Sequence, residues 1–197
     1  MKKKIITIDG PAGSGKEKIA KFISKKWRLK HLDSGILYRK LAFILFQNNV
    51  NLDDKIAIKK KIRTQRISKL ASKIAVHDFV RAYINKLQYN FVNNYKNISG
   101  FVIDGRDIGS VVFKKADIKL YIKVNPEIRA KRRYKQLIDS GEKSIYPKIL
   151  KDIKLRDKKD SLRKNSPLVI PKDAYIVNND GSFISTIKQI NNLLSKF

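Results

Sequence analysis

Short β-branched runs alternate along the chain with segments whose apolar residues recur every three or four positions. Residues 4–9, Lys-Ile-Ile-Thr-Ile-Asp, are apolar, β-branched and closed by a glycine, and read as a buried strand. The spacing then predicts a helix over 16–27, with Ile19, Ala20, Phe22 and Ile23 on its apolar face. Residues 30–33 read as a short second strand, and 35–47 as a helix carrying Tyr38 and Arg39. Residues 48–54 are polar and read as a turn. From there to residue 97 no strand pattern is visible, and helices over 68–76 and 78–95 account for the apolar spacing, with Asp78 placed to cap the second. Residues 101–104 and 118–124 are strands three and four. Pro126 starts a helix that runs to about residue 139 and stops at Gly141. Residues 146–163 are a charged helical stretch with little apolar surface, residues 174–177 a fifth strand, and 183–194 an amphipathic closing helix.

Strands that alternate with helices predict an α/β fold, a five-stranded parallel sheet with helices on both faces. The length of 197 residues suits one domain, and 42% hydrophobic residues are enough for a core. No apolar run is long enough for a bilayer span or a signal peptide, and cysteine is absent, so the expected setting is the cytoplasm. With His31 and His77 alone, a histidine metal cluster is not expected. The net charge of +28 changes the picture less than its size suggests. The lysines are spread over the whole chain and no aromatic stripe runs among them, so any nucleic-acid binding is expected to be non-specific.

The chemistry is concentrated between the first strand and the first helix. Gly10-Pro11-Ala12-Gly13-Ser14-Gly15-Lys16 is a phosphate-binding loop in the required strand–turn–helix setting. Its glycines let the backbone curl so that N–H groups point at phosphate oxygens, and the helix that follows adds its positive end. Lys16 contributes a mobile point charge for the β- and γ-phosphates of ATP. Such loops normally continue with Ser or Thr, whose hydroxyl binds Mg²⁺, but here Glu17 and Lys18 follow. Glu17 is readable as a Mg²⁺ ligand, direct or through water, or as an acidic residue favoured in a helix first turn.

Further blocks make the chain resemble the bacterial cytidylate kinase family of P-loop proteins over nearly its whole length. They are Leu32-Asp33-Ser34-Gly35 with Tyr38-Arg39, Ile62-Arg63-Thr64-Gln65, and Ile103-Asp104-Gly105-Arg106-Asp107-Ile108-Gly109 with Val111-Val112-Phe113. To these add Arg129-Ala130 with Arg132-Arg133, Arg156-Asp157-Lys158-Lys159-Asp160 with Arg163, and Ser166-Pro167-Leu168. The resemblance implies a single P-loop kinase domain over 1–197, with a nucleoside-monophosphate region at 34–97 and a mobile lid at 142–168. It implies phosphorylation of CMP and dCMP by ATP with Mg²⁺, by a monomer. Ser34, Arg39 and Arg106 would hold the CMP phosphate, a dianion suited to forked guanidinium donors and a hydroxyl. Ser72, Arg81 and Asp107 would read cytosine, with Arg156 and Asp160 on the ribose. Lys16, Arg129, Arg132, Arg156 and Arg163 would neutralise the transferring phosphoryl group, and residues 10–17 would hold ATP.

Three departures accompany the resemblance: the missing hydroxyl after Lys16, a shortened interval at about 48–61 where the family carries a small sheet insertion, and Lys159 in place of an arginine. Two other functions stay open at this level. One is a catalytically weak P-loop relative that binds RNA through its basic surface, and the other is a kinase for UMP. Arg106 with Asp107 could equally be a surface salt bridge, and Arg156 with Asp160 a helix-stabilising pair.

Overall fold

The computed structural model describes residues 3–46, 62 and 64–195. The chain divides into two compact units, Met1–His31 with Ile98–Phe197, and Leu32–Asn97.

In the first unit, β1 (Lys4–Asp9) feeds the phosphate loop and α1 (Lys16–Lys26). The chain continues into β2 (Lys30–Asp33), whose last two residues begin the second unit. After α2 (Ser34–Phe46), α3 (Gln65–Ile74) and α4 (Asp78–Asn94) of the second unit, it returns through β3 (Gly100–Gly105), β4 (Ile118–Lys123), α5 (Pro126–Asp139), α6 (Tyr146–Ser161), β5 (Tyr175–Asn178) and α7 (Phe183–Leu193). The sheet order is β2-β3-β1-β4-β5, with β1 parallel to both β3 and β4, and β4 parallel to β5. Alternation along a strand sends successive side chains to opposite faces. Ile6 and Ile8 of β1 therefore join Val102, Leu120, Ile122 and Val177 in one core, closed by Ile19 and Ile23 of α1 and Ile190 and Leu194 at the end of α7. Thr7 and Asp9 point the other way, toward Gly109. That glycine belongs to a single π-helical turn, Ile108–Val112, which the apolar run at 108–113 did not announce. Its geometry is plain from the hydrogen bonds: Val112 N donates to Asp107 O at 3.1 Å and Phe113 N to Ile108 O at 2.6 Å.

The charged stretch at 146–163 carries more apolar surface than expected. Tyr146, Ile149, Leu150 and Ile153 recur at helical spacing and pack on Ala130 and Leu137 of α5. The helix stops at Ser161, and β5 begins one residue later than the pattern suggested.

The second unit is helical: α2 (Ser34–Phe46), α3 (Gln65–Ile74) and α4 (Asp78–Asn94). Ala42, Phe43, Ile62, Ile67, Ala71, Ile74, Val80 and Ile84 form its core. The α3 helix starts three residues before the expected position because Thr64 caps it, its Oγ1 accepting from Ile67 N at 3.4 Å. Asp78 is not the cap of α4. His77 holds that position, and Asp78 lies inside the first turn, where its charge suits the helix dipole. The expected turn at 48–54, the shortened interval at 48–61, Gln47 and Arg63 lie outside the described residues.

Candidate active site

The phosphate loop is held from three sides. Within it, Ser14 N donates to Pro11 O at 3.3 Å, and Lys16 Nζ folds back to donate to the same carbonyl at 2.9 Å. Behind it stands Asn179, just past β5, whose Nδ2 donates to Ser14 O at 2.8 Å and whose Oδ1 accepts from Thr186 Oγ1 at 2.7 Å. Gly15 precedes α1 at φ 84°, and a Cβ there would come within 2.7 Å of Asn179 Nδ2. Backbone conformation and close approach both demand glycine.

The third support is Arg129, buried on α5. Its Nε donates to Val124 O at 3.2 Å, and Nη1 donates to Ala12 O and to Asp157 Oδ1, each at 3.0 Å. Nη2 completes a forked pair with Asp157 of α6. The guanidinium therefore ties the loop to α6. Tyr121 of β4 lines the same side of the loop together with Pro11, Arg129, Asp157 and Leu168, around a cavity of about 200 Å³. Burial, with the Asp157 carboxylate second, pushes its phenol above the ordinary tyrosine range.

The Asp-Gly-Arg-Asp block leaves β3 beside the loop, since Ile8 pairs with Asp104 and Asp9 with Gly105. His31 Nε2 donates to Asp104 Oδ1 at 2.7 Å. Arg106 Nε donates to Asp160 Oδ2 at 3.2 Å, and Arg163 Nη1 lies 3.9 Å from Asp160 Oδ1. Arg163 Nη2 also donates to Ser166 O at 2.7 Å. Arg106, Asp160 and Arg163 thus form one cluster where α6 ends, and Asp107 is buried rather than on a surface. Arg132 Nη2 donates to Gly181 O at 3.1 Å, bracing the turn before α7, and Arg156 is half-buried on α6.

Asp9 closes this side. Its carboxylate is fully buried and accepts from Ile108 N at 2.8 Å and Gly109 N at 2.7 Å. Burial is the largest influence and pushes its pKa up to about 6, with Asp107 adding to the rise and the two N–H groups and Lys16 opposing it.

In the second unit, Asp33 caps α2 by accepting from Ile36 N at 3.2 Å and orients Arg39, whose Nη2 donates to Asp33 Oδ2 at 2.8 Å. Ser34 is buried at the head of the same helix. Arg81 is buried on α4, donates from Nη1 to Ala75 O at 3.1 Å, and lies 6.0 Å from the centre of the Tyr38 ring. Ser72 is half-buried on α3, next to the core residue Ala71.

A divalent cation on nucleotide phosphates takes one or two carboxylates and keeps several waters. Glu17 is the carboxylate at the position after Lys16; Lys21 Nζ, one helical turn on, donates to its Oε1 at 2.7 Å. Among the described residues no group of three His, Cys, Asp or Glu could cage a metal. This donor set fits a cation held mainly by phosphate and water, with Glu17 beside it.

Comparison with known proteins shows the family. The family model described as cytidylate kinase matches residues 6–60 and 54–196. The cytidylate kinase of Bartonella tribocorum is 40% identical over 90% of this chain and 87% of its own length. The chain belongs to the cytidylate kinase family. A Rickettsia akari cytidylate kinase is 39% identical over 96% of the chain and 90% of its own, and a Fusobacterium nucleatum one 37% identical over 98% and 95%. Among solved structures, a Thermus thermophilus protein superposes with a TM-score of 0.58 at 15% identity, covering 100% of this chain and 99% of that one. The shikimate kinase of Bacteroides thetaiotaomicron gives 0.54 at 12%, covering 98% of each chain; both matches speak to the fold alone.

Sequence reasoning about this cytidylate kinase family member missed Asp9, Asp33, Asp157, Asn179 and Thr186. Asp33 had a readable signal, an Asp directly ahead of a helix. Asp9, Asp157 and Asn179 had none, because their partners lie 28 to 165 positions away, and Thr186, seven positions from Asn179, reads as an ordinary residue of the closing helix until the fold sets Asn179 behind the loop.

Proposed function

We propose that this chain transfers the γ-phosphoryl group of ATP to CMP and dCMP, giving ADP and the corresponding diphosphate. The observation that carries the reading is the pairing of β1 with β3, which puts the phosphate loop and the Asp-Gly-Arg-Asp block at the same end of adjacent parallel strands. An oxygen of the CMP phosphate attacks the γ-phosphorus, the bond from that phosphorus to the β–γ bridging oxygen breaks, and ADP leaves. That phosphate is already largely ionised near neutral pH, so positioning and charge neutralisation do most of the work.

We assign the ATP phosphates to residues 10–16, with Lys16 swinging from Pro11 O onto the β- and γ-phosphates. Arg106 binds the CMP phosphate, and Asp107, Arg156 and Asp160 the nucleoside. From the second unit, Ser34 and Arg39 serve the phosphate, and Ser72 and Arg81 the base. Arg81 donates to cytosine N3 and O2, whereas uracil would present an N–H to it and leave donors unpaired. Arg132 and Arg163 add positive charge, and Arg129 holds the loop while α6 closes as a lid. Glu17 would hold Mg²⁺, directly or through water, and the ion would supply positive charge to the phosphates.

ADP release measured with CMP, dCMP, UMP, AMP and GMP tests the assignment. CMP and dCMP should exceed UMP by at least ~10-fold in kcat/KM, the scale of one unpaired buried donor. Equal use of UMP would move the acceptor class, and no CMP-stimulated ADP would remove the kinase reading.

A further inference from the structure

The carboxylate of Asp9 does something for which a P-loop has no general need. It lies one residue before the loop and reaches across to Ile108 and Gly109, 99 and 100 positions later in the chain. Each oxygen takes one of two consecutive amide N–H groups, at 2.8 and 2.7 Å. Those are the first two N–H groups of the π-helical turn, and Asp107, at the position that would ordinarily cap it, makes no side-chain cap bond there. Asp9 is therefore the cap of that turn, supplied by another strand. The fit is tight. A Cβ on Gly109 would lie 2.6 Å from Thr7 Oγ1, 3.2 Å from Asp9 Oδ2 and 3.3 Å from Lys119 Cδ. The turn can approach β1 this closely only with glycine at that place.

Arg106 and Asp107 are the two residues directly ahead of the clasped turn. We propose that Asp9 is a positioning residue for the acceptor nucleotide: it locks the backbone that carries Arg106 and Asp107 to the strand that carries the phosphate loop. The inference rests on the assignment of those two residues to CMP. It predicts a split between substrates, because the loop keeps its other supports, Asn179 and Arg129, when the clasp is lost. Burial also holds this carboxyl near a pKa of about 6, so the clasp weakens when it protonates in mildly acidic solution. The charged and titratable groups around it are Lys16, Asp107 ahead of the turn, and Lys119 and Tyr121 of β4.

The experiment compares the wild-type chain with Asp9→Asn, which keeps the shape but turns one acceptor into a donor facing an N–H. We expect kcat/KM for CMP to fall about 10- to 100-fold, the range for a lost hydrogen bond to a charged group, with KM for ATP changed by less than about threefold. The ratio of wild-type to variant kcat/KM for CMP should shrink as the pH falls below 6. Ionisation of CMP itself cancels in that ratio. Equal losses toward both nucleotides, no loss toward CMP, or a ratio independent of pH would overturn the inference while the wild-type activity stands. A wild-type chain inactive with CMP would instead overturn the functional assignment and this inference with it. Should Asp9→Asn fail to fold, amide exchange on the wild-type chain decides. Corrected for intrinsic rates, Ile108 and Gly109 should lose protection about tenfold below pH 6 relative to Ile6 and Ile8, and unchanged protection would overturn the clasp.

Discussion

Single side chains here are judged by what they hold as well as by their charge. Lys16 is buried at the loop, where it donates to Pro11 O, and stands outside the apolar cluster built on β1 and α1. Lys16→Ala should therefore keep a wild-type melting curve while kcat falls at least ~100-fold, the cost of losing one preorganised charge donor in a transition state. Steady-state assays alongside thermal melts check this, and near-normal turnover would discard Lys16 as a catalytic group. Arg129 illustrates the opposite case. Its guanidinium has a holding role, donating to Ala12, Val124 and Asp157, beside the phosphate neutralisation that the family resemblance implies.

At the scale of elements, the strand–loop–helix unit is the most local feature and the most readable. β-branched spacing, glycines and an amphipathic helix lie within about twenty consecutive residues, so pattern alone places them. Even so, the element depends on its neighbours. Gly15→Ala would force a Cβ into a left-handed backbone, at roughly 1–2 kcal/mol, and push Asn179 from Ser14 O. The expected result is a loss of about 2 kcal/mol in denaturant unfolding together with a raised KM for ATP. A variant with unchanged stability and ATP affinity would show that the Asn179 brace is dispensable. The π-helical turn was not legible for the corresponding reason. Ile-Gly-Ser-Val-Val has no helical period of its own, and the partner of the turn's first two N–H groups is Asp9 of β1, about a hundred positions earlier in the chain.

For the whole molecule, the buried Asp9 links folding to pH. Its folded pKa of about 6 lies above the value near 3.9 of an unfolded Asp. The folded state therefore binds this proton first as the pH falls. Its contribution to stability rises as the pH drops from about 6 to about 4, and the cost of burying the ionised group is present in full above 6. The span corresponds to about 3 kcal/mol at ~1.4 kcal/mol per pH unit. Unfolding free energies of wild type and Asp9→Asn at pH 4.5, 6 and 8 isolate it, since repulsion from the +28 net charge is nearly common to both. A wild-type-minus-variant difference that stays flat with pH would count against the buried charge. The molecule tolerates that cost at neutral pH because, in the proposed mechanism, the ionised carboxylate holds the acceptor side in register.

The sequence by itself determined the alternating strands and helices, the phosphate loop and the blocks that identify the family. These are signals carried by neighbouring residues, through side-chain periodicity and backbone preference. Tertiary structure alone decided that Asp9 meets Gly109, that Asn179 braces Ser14 and that Arg129 joins Ala12 to Asp157, pairs 28 to 165 positions apart. A buried hydrogen bond depends on which backbone groups the fold leaves without partners, and that is known only once the strands have been laid side by side.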